Sequence, residues 1–87
     1  IVQREDGSWL VDGMLPMDLI EKMTGIESEE EVNTVAGFVL QNLGRIPQPG
    51  EGFDYDNVHF EVVDMDGRRI DKVVIRIDTP AIESGDS

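Results

Sequence analysis

The chain has 87 residues, 19 of them acidic and 7 basic, for a formal net charge of −12 at pH 7. That balance excludes a sequence-independent nucleic-acid binder, which needs clustered Lys and Arg to neutralise phosphates, and argues against adhesion to an anionic membrane face. Cysteine is absent, which removes disulfides and thiolate metal sites, while a hydrophobic content of 39 % is too high for a wholly disordered chain. The length fits one small domain. No apolar run approaches the roughly 20 residues that span a bilayer, and no signal peptide is visible. The chain opens on Ile1 rather than a methionine, which fits a piece of a longer protein.

In chain order, residues 1–5 read as a linker remnant, and residues 6–77 as the folded domain. Ser8 to Asp12 reads as a short strand closed by Asp12-Gly13. Pro16 suits the first turn of a helix, Leu19, Ile20 and Met23 form one apolar stripe, and Gly25 is a C-terminal stop, so helix 1 spans about 16–24. Ser28-Glu29-Glu30-Glu31 has the form of a capping box. Val32, Val35, Ala36, Val39, Leu40 and Leu43 then recur at helical spacing, and Gly44 and Pro47 end the run. This predicts helix 2 over about 29–43. The glutamates at its start read as charges favoured by the helix dipole rather than as metal ligands. Gly37 inside the helix costs about 1 kcal/mol relative to Ala, which close helix–sheet packing would offset.

Beyond Pro49-Gly50 the pattern changes to strands. Gly52 to Tyr55 and Val58 to Met65 are separated by the turn pair Asp56-Asn57, and Arg68 to Ile77 follows Asp66-Gly67. With Asp66 and Gly67 as the turn, Phe60 faces Val73, Val58 faces Ile75, Asp64 faces Arg69 and Glu61 faces Lys72. Val62 against Asp71 is the outlier and marks a bulge or a capping role for Asp71. The opposite sheet face then carries Val63, Ile70 and Val74, with Met65 near the turn, and an uncovered apolar face of this kind marks an interface. Residues 78–87, with Ile82 as their one bulky apolar side chain, read as a disordered acidic tail. The elements give an α+β two-layer sandwich, two helices on a mostly antiparallel sheet, in the order β-α-α-β-β-β.

Catalytic equipment is thin. His59 is the single histidine and reads as a half-exposed strand residue rather than a general base. No serine is paired with a histidine–acid couple, and neither Gly-rich phosphate loop occurs. Asp64-Met65-Asp66-Gly67 lacks the later ligands of a calcium loop. Trp9 reads as a core anchor. Arg45, Arg68 and Arg69 either satisfy local carboxylates and carbonyls or anchor a partner surface. No catalytic, cofactor-binding or metal-ligating residue is assigned.

Four segments in order resemble the CorC/HlyC transporter-associated domain. They are Asp6 to Asp12-Gly13 with Pro16, Glu31 to Leu40, Leu43-Gly44-Arg45-Ile46-Pro47 with Gly50, and Phe60 to Val73. The resemblance implies a fold shared with PCMH-type FAD-binding domains, at the cytosolic C-terminal end of a larger integral membrane protein of the hemolysin or magnesium/cobalt-efflux type. It implies a paired CBS module and a transmembrane domain as partners within the same polypeptide, and a role in modulating ion transport. It supplies no catalytic residues. A flavin follows from it by fold analogy alone. The expectation is therefore a non-enzymatic regulatory domain. It would dock on the rest of its own protein, or on a second copy as a homodimer, through Val63, Met65, Ile70, Val74, Arg45, Arg68 and Arg69. The alternative is a sensor that binds a flavin, an adenine nucleotide or a divalent cation.

Overall fold

A computed structural model describes residues 1–28 and 32–77. Its elements are β1 (Val2–Gln3), β2 (Trp9–Asp12), α1 (Met17–Thr24), α2 (Val35–Leu43), β3 (Gly52–Tyr55), β4 (Val58–Asp66) and β5 (Arg69–Ile77). The strands form one antiparallel sheet in the order β1-β2-β5-β4-β3. The fold is the expected α+β arrangement, with one strand more: β1 lies in the stretch read as linker and pairs with β2 through Val2–Leu10 and Gln3–Trp9. A two-residue strand is too short to carry a periodicity. The tail reading of 78–87 lies outside the described residues.

Local chemistry sets the helix ends. Gly25 and Gly44 take left-handed conformations at φ 83° and 74°, and their N–H groups donate to Glu21 O and Leu40 O. Pro16 is the N-cap of α1. The start of α2 differs from the expectation. Its N-cap is Thr34, not Ser28; the side chain of Thr34 accepts from Gly37 N at 3.1 Å. Thr34 is extended and bridges Pro16, while Met17 N donates to Asn33 O and Val35 N to Leu15 O. This tertiary bridge holds the two helix starts together and keeps Val32 out of the helix. The glutamates of the proposed capping box, 29–31, lie outside the described residues. Close packing on the sheet does not account for Gly37, contrary to the expectation. A Cβ there would meet nothing nearer than Thr34 Oγ1 at 3.4 Å.

The helices cover one sheet face. Val11, Val58, Phe60, Val62, Val73 and Ile75 meet Met17, Ile20, Val35, Phe38 and Val39 there, all fully buried. Trp9 packs against this core, as expected. Phe38 lies among Phe53, Tyr55 and Phe60 at ring-centroid distances of 5.8, 5.0 and 5.1 Å. Phe53 stacks on Phe60 at 5.2 Å.

The β4–β5 register is displaced by two residues from the predicted one. Asp66 faces Arg69 and Phe60 faces Ile75, so the loop is Gly67-Arg68. Gly67 has φ 63° and Arg68 is not among the positive-φ residues, the pattern of a type II′ turn with glycine first. A two-residue displacement keeps every side chain on its face, which is why Val58, Phe60, Val73 and Ile75 still share the core side. The expected Asp64–Arg69 and Glu61–Lys72 pairs do not face each other. Two compensating bulges then break the ladder: Val62 faces Val73, Asp64 faces Lys72 and Met65 faces Ile70. Val63 on β4 and Asp71 on β5 are left unpaired. The bulge at Asp71 is the one the sequence outlier marked.

Candidate functional site

The bulges redistribute the residues expected to form one apolar surface. Ile70 passes to the core side and is only 4 % exposed, with Met65 opposite it and half-buried against the core. Both are corrections: neither lies on the uncovered face, because the extra residue Asp71 reverses the alternation of β5 before Val73 and the extra residue Val63 reverses that of β4 beyond Val62. Val74 remains on the face away from the helices, yet it is only 7 % exposed. It sits in a row of Val2, Leu10, Val74 and Glu61 running across four strands. Val63 projects from its bulge at 36 % exposure. The outer face therefore carries a narrow apolar row bordered by charge, not a broad apolar sheet.

Arg68 and Arg69 fall at the hairpin tip. Arg45 does not join them. It follows the C-terminal end of α2 and pairs with Glu51 across the 45–51 loop. The same carboxylate accepts from Gln48 N at 2.7 Å, and Val62 N donates to Glu51 O, which ties the loop to β4. The Glu51 carboxyl is held below its ordinary value, first by the Arg45 side chain and then by the Gln48 amide. A lowered folded-state value gives stability that is present above the ordinary carboxylate range and lost as pH falls through that range and the folded value. In thermal melts, the midpoint difference between wild type and Glu51→Gln is therefore expected to be constant near neutrality and to shrink on acidification. A difference that grows at low pH would contradict this assignment.

Next to the hairpin tip lies a cleft of about 270 Å³ between β5, the β2–α1 loop and the first turns of α2. Its floor is apolar, from Ala36, Leu40 and Ile70, and Met14 borders it with 67 % of its surface exposed. The amides at the start of α2 are already used. Val35 N donates to Leu15 O, Ala36 N to Gly13 O and Gly37 N to Thr34 Oγ1. The cleft is therefore not a phosphate cradle, which needs free amides. Of the acids around it, Asp12 accepts from Met14 N at 3.0 Å, Asp71 pairs with Lys72 at 3.4 Å and Asp66 lies 4.0 Å from Arg69. Arg68 makes no ion pair among the described residues. The cleft is thus an apolar slot with one uncommitted guanidinium on its rim, suited to seat a side chain of another protein segment rather than to move protons.

A second cluster was not foreseen. On the outer face, Asp54 of β3 faces His59 of β4, and Asp54 Oδ1 lies 2.8 Å from His59 Nδ1. Glu61, two residues along β4, places Oε1 3.7 Å from His59 Nε2. The available signal was the His-x-Glu spacing on a strand, which sets both side chains on one face; the partner from β3 required the pairing. Among the described residues no group of three or more His, Asp or Glu is placed to hold a metal ion, and no helix is long and apolar enough to cross a membrane.

The family model CorC_HlyC, described as a transporter associated domain, matches residues 2–79. A Synechocystis relative, UPF0053 protein sll0260, is 52 % identical over 80 residues, covering 86 % of this chain and 18 % of its own. The polyamine export protein of Escherichia coli K12 is 35 % identical over 85 residues, covering 93 % of this chain and 19 % of its own. Among solved structures, a transporter associated domain from a Xylella fastidiosa hemolysin, described in complex with Mg++ and Mn++, superposes with a TM-score of 0.79 at 43 % identity. That match covers 87 % of this chain and 94 % of the other. The chain thus spans less than a fifth of the length of these two curated relatives.

Proposed function

The chain belongs to the CorC_HlyC transporter-associated domain family, a non-catalytic domain of transporter-type membrane proteins, and on that premise we propose that it is a regulatory docking module of a cation transporter. In this reading the domain lies on the cytoplasmic side, beside a CBS pair, and modulates transport by seating on the remainder of its own polypeptide. The names of the polyamine-exporting relatives extend the candidate cargo from metal ions to organic cations.

The observation that carries the docking reading is the cleft at the hairpin tip, with its apolar floor, exposed Met14 and uncommitted Arg68. Exposed methionine adapts to irregular partners, and arginine at the edge of an apolar slot is a common anchor. This surface replaces the predicted Val63/Ile70/Val74 face. Arg69 borders the same cleft, Val63 lies outside it, and Arg45, Ile70 and Met65 serve the fold. An Ile70→Asp test would unfold the core instead of probing docking, so the variants of choice are Met14→Asp and Arg68→Glu. Both sites are at the surface and the domain is expected to keep its melting temperature. Association of the domain with the parent protein lacking it is expected to fall at least tenfold in each variant. Unchanged association and unchanged transport in folded variants would remove the cleft from the mechanism.

A second reading, a divalent-cation sensor, is favoured by the Xylella domain described with Mg++ and Mn++. Calorimetric titration with each ion tests it. Absence of heat and of any thermal shift would eliminate it.

A further inference from the structure

We propose that His59 and Glu61 form a binding site for a first-row divalent transition-metal ion on the outer sheet face, with Asp54 orienting the imidazole. The inference is independent of the docking reading and deepens the sensor reading by naming residues and a cation class. Three features of the geometry carry it. His59 and Glu61 stand two apart on β4, so both side chains rise from the same face. His59 Nδ1 lies 2.8 Å from Asp54 Oδ1, a contact that needs the proton on Nδ1 and leaves Nε2, on the Glu61 side, as the nitrogen able to ligate a cation. This carboxylate–imidazole arrangement is the one that supports metal-ligating histidines, because it sets both tautomer and ring orientation. Finally, Nε2 lies 3.7 Å from Glu61 Oε1. Two donors bound to one tetrahedral ion at the usual N and O ligand distances sit about 3.4 Å apart. Closing the gap takes a few tenths of an ångström from a carboxylate that is 41 % exposed.

The donors define the class of ion. One imidazole nitrogen and one carboxylate oxygen suit Zn²⁺, Mn²⁺, Co²⁺ or Ni²⁺; Mg²⁺, which takes oxygen ligands in octahedral geometry, is a poor fit. The remaining positions go to water, so the site is open and exchangeable. Arg76, which faces His59 from β5, has an interaction of its own. Its charge lowers affinity, while Asp54, Glu61 and the net charge of −12 raise it.

The test is a Zn²⁺ titration of the whole chain, followed by NMR of the His59 ring protons and of the backbone amides, with Mg²⁺ in parallel. His59 is the only histidine, so its ring signals need no assignment by mutation. Saturable shifts of the His59 ring with Zn²⁺ and none with Mg²⁺ are expected, with affinity reduced about tenfold in Glu61→Gln and a similar amount in Asp54→Asn. Both positions are on the surface, so the variants stay folded. Ring shifts that persist unchanged in Glu61→Gln would overturn the pair in favour of a lone surface histidine. Amide shifts elsewhere with a silent His59 would overturn this site while leaving the sensor reading standing. No shift anywhere with either ion would overturn the site and the sensor reading together.

Discussion

Phe38→Ala is expected to remove a large share of the stability of the domain, at a cost of about 3–5 kcal/mol. Phe38 is fully buried and is the side chain of α2 that enters the aromatic group of Phe53, Tyr55 and Phe60. Its removal deletes edge and tilted ring contacts as well as apolar burial, and the cavity lies between two layers that cannot both collapse onto it. A domain of this length has of order 4–13 kcal/mol in total. Urea unfolding followed by the fluorescence of Trp9, the single tryptophan, gives the loss as a lower midpoint with an unchanged slope. Phe38→Leu is expected to lose clearly less, since it keeps volume but not the ring edge. Equal losses would mean that the ring contacts carry the whole effect, and a negligible loss in Phe38→Leu would mean that they contribute nothing beyond size.

Gly13→Ala is expected to destabilise by about 3 kcal/mol or more through a different mechanism. A Cβ at this position would stand 2.2 Å from the carbonyl oxygen of Ile70, and backbone cannot yield as a side-chain tip can. Gly13 also donates its N–H to Asp71 O and accepts from Ala36 N, both at ordinary lengths of 2.8 and 2.9 Å. Moving the loop to relieve the clash breaks one or both, each worth about 1 kcal/mol. The cleft is built on the same junction, so surviving folded protein is expected to dock poorly. Gly37→Ala is the control, because its new Cβ meets ordinary van der Waals space at 3.4 Å. Calorimetric melts of the two variants should differ sharply. Similar melting temperatures would show that the β2–α1 loop is not locked against β5.

Local signals in the sequence identified much of the fold, and the errors have one physical origin. Gly25, Gly44 and Asp56-Asn57 were readable because a helix end or a tight turn is decided by the conformational freedom of one or two residues. The start of α2 was misread because Thr34 is selected by its bridge to Pro16, a contact between segments that no window of sequence contains. Hairpin register failed similarly. Asp66-Gly67 is a strong turn signal, but Gly67 sits first in the loop, not second. One clue to the bulges was present: Ile70 and Val73 are both bulky, three apart, and can share a face only if one residue between them is extra. Assigning Ile70 to the uncovered face followed from strict alternation. The cleft was invisible for a stronger reason. Its walls come from β5, a loop after β2 and the first turns of α2, and none of these is near another in sequence. His59 was seen and its carboxylate partners were not, since Asp54 reaches it only after β3 pairs with β4.

The place of β5 in the sheet has a consequence for how the domain is made. Among the described residues it is the last strand in sequence and the middle strand of the sheet, joined to β2 on one side and β4 on the other. Without it, the strands before it can pair only as two separate ribbons, β1 with β2 and β3 with β4. Neither can close a core until Ile77 is clear of the ribosomal exit tunnel. Folding during synthesis is therefore withheld until the end of the domain, and a chain released before β5 has no smaller native unit to adopt. Such a fragment exposes apolar surface that the complete domain buries, and is prone to aggregation.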